Sequence, residues 1–150
     1  MQDEDPRIGE HTTYFEEPDI IVMRLVGPCS EAEGHEVNVR HLRYAEGRNR
    51  LFFLIDLEKL DGIHPAVRKE AGLVLRTIPL KGAALYKAPL KAKVMAKLIL
   101  TAVNTFRRPE DKVPVVFLDS EQQARAWIDQ RRRELVEPDA PAAASPRRSA

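Results

Sequence analysis

The sequence has one cysteine, few aromatic residues and no long apolar run, and each shortage excludes a class of protein. The single Cys29 excludes an internal disulfide and any zinc site built from several cysteines. No apolar run reaches the ~18 residues that a membrane-spanning helix requires. The acidic, polar start MQDEDPRIGE does not resemble a signal peptide. These features predict a cytoplasmic protein.

Recognised cofactor motifs are also missing. None of the seven glycines falls in a GxGxxG or GxxxxGK[ST] motif, so nucleotide binding of the usual kinds is disfavoured. His35 and His41 are six residues apart, which is not the i, i+4 spacing of a helical metal pair. Cys29 near a helix start fits a small buried residue better than a nucleophile. We therefore expect no cofactor, no metal and no catalytic residue.

The length and composition indicate one globular domain. The chain has 150 residues, of which 43% are hydrophobic and 31% charged. Residues 1–10 are acidic and are expected to be a flexible tail. Residues 136–150 are rich in Pro, Ala, Ser and Arg and lack core-forming residues, so we expect them to be disordered. The predicted domain therefore covers residues 11–135.

Strand and helix patterns alternate along the domain in the order β-β-α-β-α-β-α-β-α. Two strands meet at Glu17-Pro18 in a predicted hairpin. The run Leu51–Leu57 is apolar except for Asp56 and is typical of a central strand covered on both faces. Pro114 places the last strand at or near an edge. The prediction is an α/β fold with a mixed, mostly parallel sheet of about five strands and four helices.

Helix boundaries have clear signals. Ser30 and Glu33 form a predicted capping box, and Pro65 is a favoured first helical residue. A long helix is predicted from Pro89 to about Phe106. A helical wheel puts one set of its apolar residues on the inward face: Met95, Leu98, Ile99, Ala102, Val103 and Phe106. The same wheel leaves Leu90, Val94 and Leu100 bordering the polar side.

Three segments in this order resemble the STAS domain, which is shared by bacterial anti-sigma-factor antagonists and the cytoplasmic tails of sulfate transporters. They are LFFLIDLEKLDGIHPAV, GAALY and PVVFLDSEQQARAWI. The resemblance covers roughly residues 12–133 and is strongest to the stand-alone STAS-like branch, whose fold is similar to that of CRAL-TRIO lipid-transfer domains. It implies a regulatory interaction module rather than an enzyme.

One departure from the family matters for function. Switching antagonists carry a phosphorylatable Ser or Thr at the start of the second helix, where this chain has Ile63-His64-Pro65-Ala66. No Ser or Thr occurs anywhere from Glu31 to Arg76. A phosphate would add about −1.5 to −2 charge at that helix end. The sequence therefore predicts a domain without this phosphorylation switch.

The strongest functional signal is a basic stretch. Residues 81–108 contain seven lysines and arginines and no Asp or Glu. The residues predicted to contact a partner are Lys91, Lys93 and Lys97, with Leu90 and Val94 as apolar neighbours. A protein partner is expected, with a homodimer or an anionic lipid surface as alternatives. Nucleic acid is disfavoured because few aromatic residues are available for stacking, and a merely solvated helix face also remains open.

A second, weaker candidate lies after the central strand. Asp56 ends the LFFLID run, and Asp61 and His64 follow it in a predicted loop. The carboxyl ends of parallel strands are usual places for ligand sites. Turn hydrogen bonds and helix capping are the structural alternatives for these side chains.

We therefore predict a non-catalytic regulatory or scaffolding module that binds a protein. The alternative is a carrier of a small ligand or lipid, which requires an apolar pocket between the helices and the sheet.

Overall fold

A computed structural model describes residues 4–136 as one six-stranded sheet with helices on both faces. The strands are β1 (Arg7–Ile8), β2 (His11–Glu16), β3 (Ile20–Cys29), β4 (Leu51–Ile63), β5 (Leu80–Tyr86) and β6 (Val115–Leu118). The helices are α1 (Glu31–Ala45), α2 (Pro65–Thr77), α3 (Leu90–Asn104) and α4 (Glu121–Val136), with a 3₁₀ turn at Pro109–Asp111. The tail predicted for residues 136–150 lies outside the described residues, apart from the last residue of α4.

The sheet order follows the chain order, β1-β2-β3-β4-β5-β6. The first three strands pair antiparallel, and β3 to β6 pair parallel. Helices α1, α2 and α3 cover one face of the sheet, and α4 covers the other. This confirms the predicted α/β class with a mostly parallel sheet and an N-terminal hairpin. The edge position predicted for the last strand from Pro114 is also confirmed.

The structure differs from the predicted flexible tail at residues 7–8, which form β1. Ile8 is buried in the core beneath α1. Arg40 of α1 donates from Nη1 to the Asp5 carbonyl at 2.6 Å. Glu4 pairs with Arg40 and Arg43. These contacts fix the acidic segment from residue 4 onward against α1, which is why the sheet has six strands rather than five.

Local sequence signals set the helix starts. Ser30 accepts from the Glu33 backbone N–H, and the Glu33 side chain accepts from Ser30, which is the predicted capping box. Pro65 is the first residue of α2 and His64 its N-cap. Gly34 of α1 lies so close to α2 that a Cβ there would be 2.3 Å from Val67. The glycine therefore permits the close packing of these two helices.

Candidate functional site

Helix α3 presents an apolar row to solvent. Leu90 is 77% exposed, Val94 49% and Leu98 56%, whereas Ala92, Leu100 and Val103 are buried against the sheet. The exposed three are four residues apart, so they lie in one row on a helix with 3.6 residues per turn. Phe106, just after the helix, is 89% exposed. We call Leu90, Val94 and Leu98 the α3 row.

The predicted orientation of α3 is wrong in part. Leu98, Ala102 and Phe106 were expected to face inward but are exposed, and Leu100 was expected at the border but is only 7% exposed. The helix carries apolar residues all round, so periodicity does not distinguish its two faces. Packing makes the choice, because Ala92, Leu100 and Val103 are the α3 residues buried in the core cluster.

Lysines border the α3 row on both sides. Lys93 and Lys97 lie toward β6, with their ammonium nitrogens 5.9 and 5.8 Å from the centre of the Phe117 ring. Lys91 lies on the opposite border, and its Nζ is 3.7 Å from Oδ1 of Asp61. The three predicted lysines therefore belong to one surface but occupy two different borders of it.

The positive charge of this surface is only partly neutralised. Within residues 4–136, no carboxylate oxygen lies within 4.0 Å of the Lys93 or Lys97 ammonium, whereas Lys91 has Asp61. The acidic residues near the N-terminus contact α1 instead, where Glu4 pairs with Arg40. The acidic segment, from residue 4 on, therefore does not cover the lysines of α3.

The predicted second site is not assembled around one point. Strand β4 continues to Ile63, so Asp56 lies within the strand rather than at its end. Its Oδ2 is 3.7 Å from Arg24 Nε, and its Oδ1 accepts from the backbone N–H of Glu58 at 3.0 Å. Asp61 pairs with Lys91, as described above.

His64, the third residue of that prediction, caps a helix. Its Nδ1 accepts from the backbone N–H of Ala66 at 3.1 Å, and its Nε2 is 4.0 Å from Glu31. Asp56, Asp61 and His64 thus have separate structural contacts. Among residues 4–136, no group of three or more His, Cys, Asp or Glu side chains is arranged to hold a metal ion.

An apolar cavity of about 110 Å³ lies between the sheet and helices α1, α2 and α3. Aliphatic and aromatic side chains such as Phe53, Leu85 and Met95 line most of it, and Asn38 and His41 are among the few polar residues. An engineered apolar cavity of about 150 Å³ binds benzene. The space therefore suits a small apolar group rather than a whole acyl chain.

Two titratable groups at this cavity are held neutral. Burial lowers the pKa of His41 to about 3. The Thr13 hydroxyl donates to the Val22 carbonyl, so His41 Nε2 donates to Thr13 Oγ1 at 3.1 Å. Burial, with a smaller effect of Glu33, raises the pKa of the Cys29 thiol to about 11. A thiol with this pKa is not a nucleophile near neutral pH.

Sequence reasoning missed a second open surface next to the lysines. Strand β6 is the last strand of the sheet, and a groove runs between it and α3. Asn104 of α3 lies at one end of this groove and Phe117 in its floor. Pro114 had indicated an edge strand, but no local pattern showed which side chains would border it.

Comparison with known proteins identifies the fold. No protein-family model and no curated protein matches the chain. A solved structure from Shewanella loihica PV-4, described as an uncharacterised protein of the DUF3478 family with a SpoIIAA-like fold, matches with a TM-score of 0.57 and 15% identity. The match covers 78% of this chain and 90% of that chain. The chain therefore has a SpoIIAA-like, that is STAS-like, fold.

No helix within residues 4–136 combines the length and the apolar character needed to cross a bilayer.

Proposed function

We propose that this chain, whose fold is SpoIIAA-like, is a non-catalytic interaction module that binds an acidic protein partner through α3. The observation that carries the proposal is the α3 row, in which three aliphatic side chains face solvent between lysine borders. Exposed apolar side chains rimmed by charge are a common form of protein-binding surface.

The expected affinity follows from the size of this surface. Burying three aliphatic side chains contributes roughly 5–9 kcal/mol, while association costs roughly 4–15 kcal/mol. The apolar contact alone therefore supports weak binding at most. The charges of Lys93 and Lys97 raise the association rate for an acidic partner, so we expect binding to weaken as salt is added.

The separate contacts of the titratable residues support the non-catalytic part of the proposal. Asp56 pairs with Arg24, Asp61 with Lys91, and His64 caps α2. A catalytic pair needs side chains within hydrogen-bond reach of one reacting atom. The start of α2 also has His64-Pro65 where switching antagonists carry a hydroxyl, so we propose binding that phosphorylation at this position does not regulate.

Charge reversal tests the proposal. A triple variant, Lys91→Glu, Lys93→Glu and Lys97→Glu, is compared with the wild type in affinity capture from the lysate of the native host. The matched control reverses three exposed lysines away from α3: Lys59, Lys69 and Lys81. We expect an acidic partner that the wild type and the control retain and the α3 variant loses. If both variants retain the acidic partner equally and their circular dichroism spectra are unchanged, the proposal is contradicted.

The cavity supports a second candidate function, the binding of a small apolar ligand. Native mass spectrometry of freshly purified protein would then show a bound mass. Ala71 lines the cavity, so Ala71→Leu reduces its volume and should remove that mass. This candidate is contradicted if the wild type carries no bound mass. It is also contradicted if the folded Ala71→Leu variant still carries one.

A further inference from the structure

We propose that strand β6 accepts an extended acidic segment of the partner as a seventh strand, with side chains in the groove between β6 and α3. This inference rests on the proposed function, because Lys97 borders both the α3 row and the groove and Lys93 lies between them. It adds the conformation of the bound segment and the backbone groups that bind it.

The pairing of β6 with β5 defines which backbone groups face outward. The Pro114 and Leu118 carbonyls accept from the backbone N–H groups of Ala83 and Lys87 in and after β5. Successive residues of a strand point their backbone groups to opposite sides. The N–H and C=O groups of Val115 and Phe117 therefore point away from the sheet, toward the open edge.

Side chains close this edge at both ends. The Asn104 side chain pairs with both backbone groups of Val113. Its Oδ1 accepts from the Val113 N–H at 2.9 Å, and its Nδ2 donates to the Val113 carbonyl at 3.1 Å. Gln123 accepts from the Asp119 N–H at 2.9 Å. Between these two ends, the outward N–H and C=O groups of Val115 and Phe117 have no hydrogen-bond partner within residues 4–136. A short added strand has matching donors and acceptors for all four.

The groove beside this edge is apolar at its base and positive at its rim. Leu100, Val113, Val115 and Phe117 line the base. The exposed Lys97 and Lys112 line the rim with Thr101 and Thr105, and none of the carboxylates described between residues 4 and 136 lines the groove. Lys93 lies above Phe117 next to the groove. The nearby Glu110 and Asp111 pair with Arg108. Acidic side chains on one face of an added strand therefore meet lysines.

The same charges disfavour pairing between two copies of the chain. A two-fold pair of β6 edges would bring Lys93, Lys97 and Lys112 of both copies together. Like charges facing each other across adjacent strands are destabilising. We therefore assign the edge to a segment of opposite charge and not to a second copy.

A synthetic peptide tests this inference directly. The probe is fluorescently labelled (Glu-Val)₄ with blocked ends, and the matched control is (Lys-Val)₄. We expect the acidic peptide to bind the full chain and the basic peptide not to bind. Two further peptides carry N-methyl groups on either all Glu or all Val residues. One of these must lose binding, because only alternate N–H groups of a strand face its neighbour.

Amide hydrogen exchange identifies the atoms involved. Val115 and Phe117 should exchange fast in the free protein and at least tenfold more slowly with saturating (Glu-Val)₄. Val116 and Leu118, whose N–H groups face β5, should be protected in both states. Peptide binding that leaves Val115 and Phe117 unprotected, or no binding of the acidic peptide, overturns the inference.

Two variants separate this inference from the proposed function. Lys97→Glu with Lys112→Glu should weaken (Glu-Val)₄ binding about tenfold or more. Leu90→Gln with Val94→Gln makes the α3 row polar without changing its charge and should leave peptide binding within about twofold. If the Leu90 and Val94 variant loses the cellular partner while the peptide does not bind the wild type, the edge inference fails and the proposed function stands.

Discussion

The two faces of the sheet hold their helices by different means. Helix α4 buries Ala124 and Ile128 and is attached in addition by arginine–carboxylate pairs. Arg125 donates twice to Glu16, at 2.8 and 3.0 Å, and Arg132 contacts the buried Asp19. Helix α3, on the other face, is held by small and aliphatic side chains such as Ala92 and Leu100. Its outer side is apolar and exposed. Ion pairs therefore supplement the apolar packing of α4, whereas α3 has an exposed apolar row, to which we assign the proposed binding role.

The charged attachment of α4 depends on Asp19, whose side chain is only 3% exposed. Arg132 and Arg50 both contact this carboxylate, and both guanidinium groups lie 5.9 Å from the centre of the Phe52 ring. A buried charge is tolerated when it is paired, and losing a partner is costly. Trp127 adds apolar contact, packing where Gly82 has no side chain.

The largest loss of stability is expected when the ion pairs that attach α4 are removed. Arg132→Met together with Arg50→Met leaves the buried Asp19 carboxylate without either guanidinium partner, so the free energy of unfolding should fall by about 3–5 kcal/mol. The control Arg133→Met removes an exposed arginine from the same helix and should change it by less than about 0.5 kcal/mol. Urea unfolding of the two variants measures the difference. Equal effects would show that the buried pair does not hold α4.

The next prediction tests which side of α3 faces the core. Leu100→Ala removes a buried side chain and should lower the free energy of unfolding by about 2–5 kcal/mol. Leu98→Ala removes an exposed side chain and should change it by less than about 0.5 kcal/mol. Thermal and urea unfolding compare the two. The reverse order of effects would restore the orientation that the sequence pattern predicted.

A smaller effect concerns the packing between the helices on the α3 face. Gly34→Ala places a methyl group 2.3 Å from Val67 and should destabilise the domain by about 1–3 kcal/mol. Gly72→Ala in α2 adds a methyl group that, apart from its own helical turn, lies more than 4 Å from the atoms of residues 4–136, so it should stabilise the domain by about 0.5–1 kcal/mol. Calorimetry should therefore show changes of opposite sign in the unfolding free energy of the two variants. Destabilisation by both substitutions would contradict this prediction.

The smallest effect is a pH dependence between pH 6.5 and 5.5, which comes from the buried, neutral His41 on the α3 face of the sheet. Because the folded pKa of His41 is about 3, below the unfolded value of 6.5, its stabilising effect is complete above pH 6.5. It is lost as the pH falls toward 3, at up to about 1.4 kcal/mol per pH unit.

The variant His41→Gln keeps a donor for Thr13 and should flatten this slope. Unfolding free energies at pH 6.5 and 5.5 measure this slope. A slope that is the same in the variant and the wild type would exclude His41 as its source.

Much of the fold was predictable because it depends on local signals. The capping box of Ser30 and Glu33 and the helix start at Pro65 are set by residues within one turn. The run Leu51–Leu57 is apolar enough to require burial on both faces, and it lies in the central strand β4. Pro114 indicated the edge position of β6 correctly.

The candidate site was predictable only in part. The lysines of α3 were found from charge alone, and their binding role stays a prediction. The exposure of Leu98 was missed because α3 is apolar all round. Asp56 was expected at a strand end, but pairing with β3 continues along β4 beyond that point. The open edge at Val115 and Phe117 was not visible, because its extent depends on the pairing of β6 with β5 and on the contact between Asn104 and Val113.

By itself, the sequence determined the order of strands and helices, the helix starts and the basic stretch 81–108. Only the tertiary structure decided which side of α3 faces the sheet, that the segment from residue 4 joins the fold, and which backbone groups of β6 remain open. The physical reason is range. Capping and apolar runs act between near neighbours, whereas burial, ion pairing and strand pairing depend on residues that folding alone brings together.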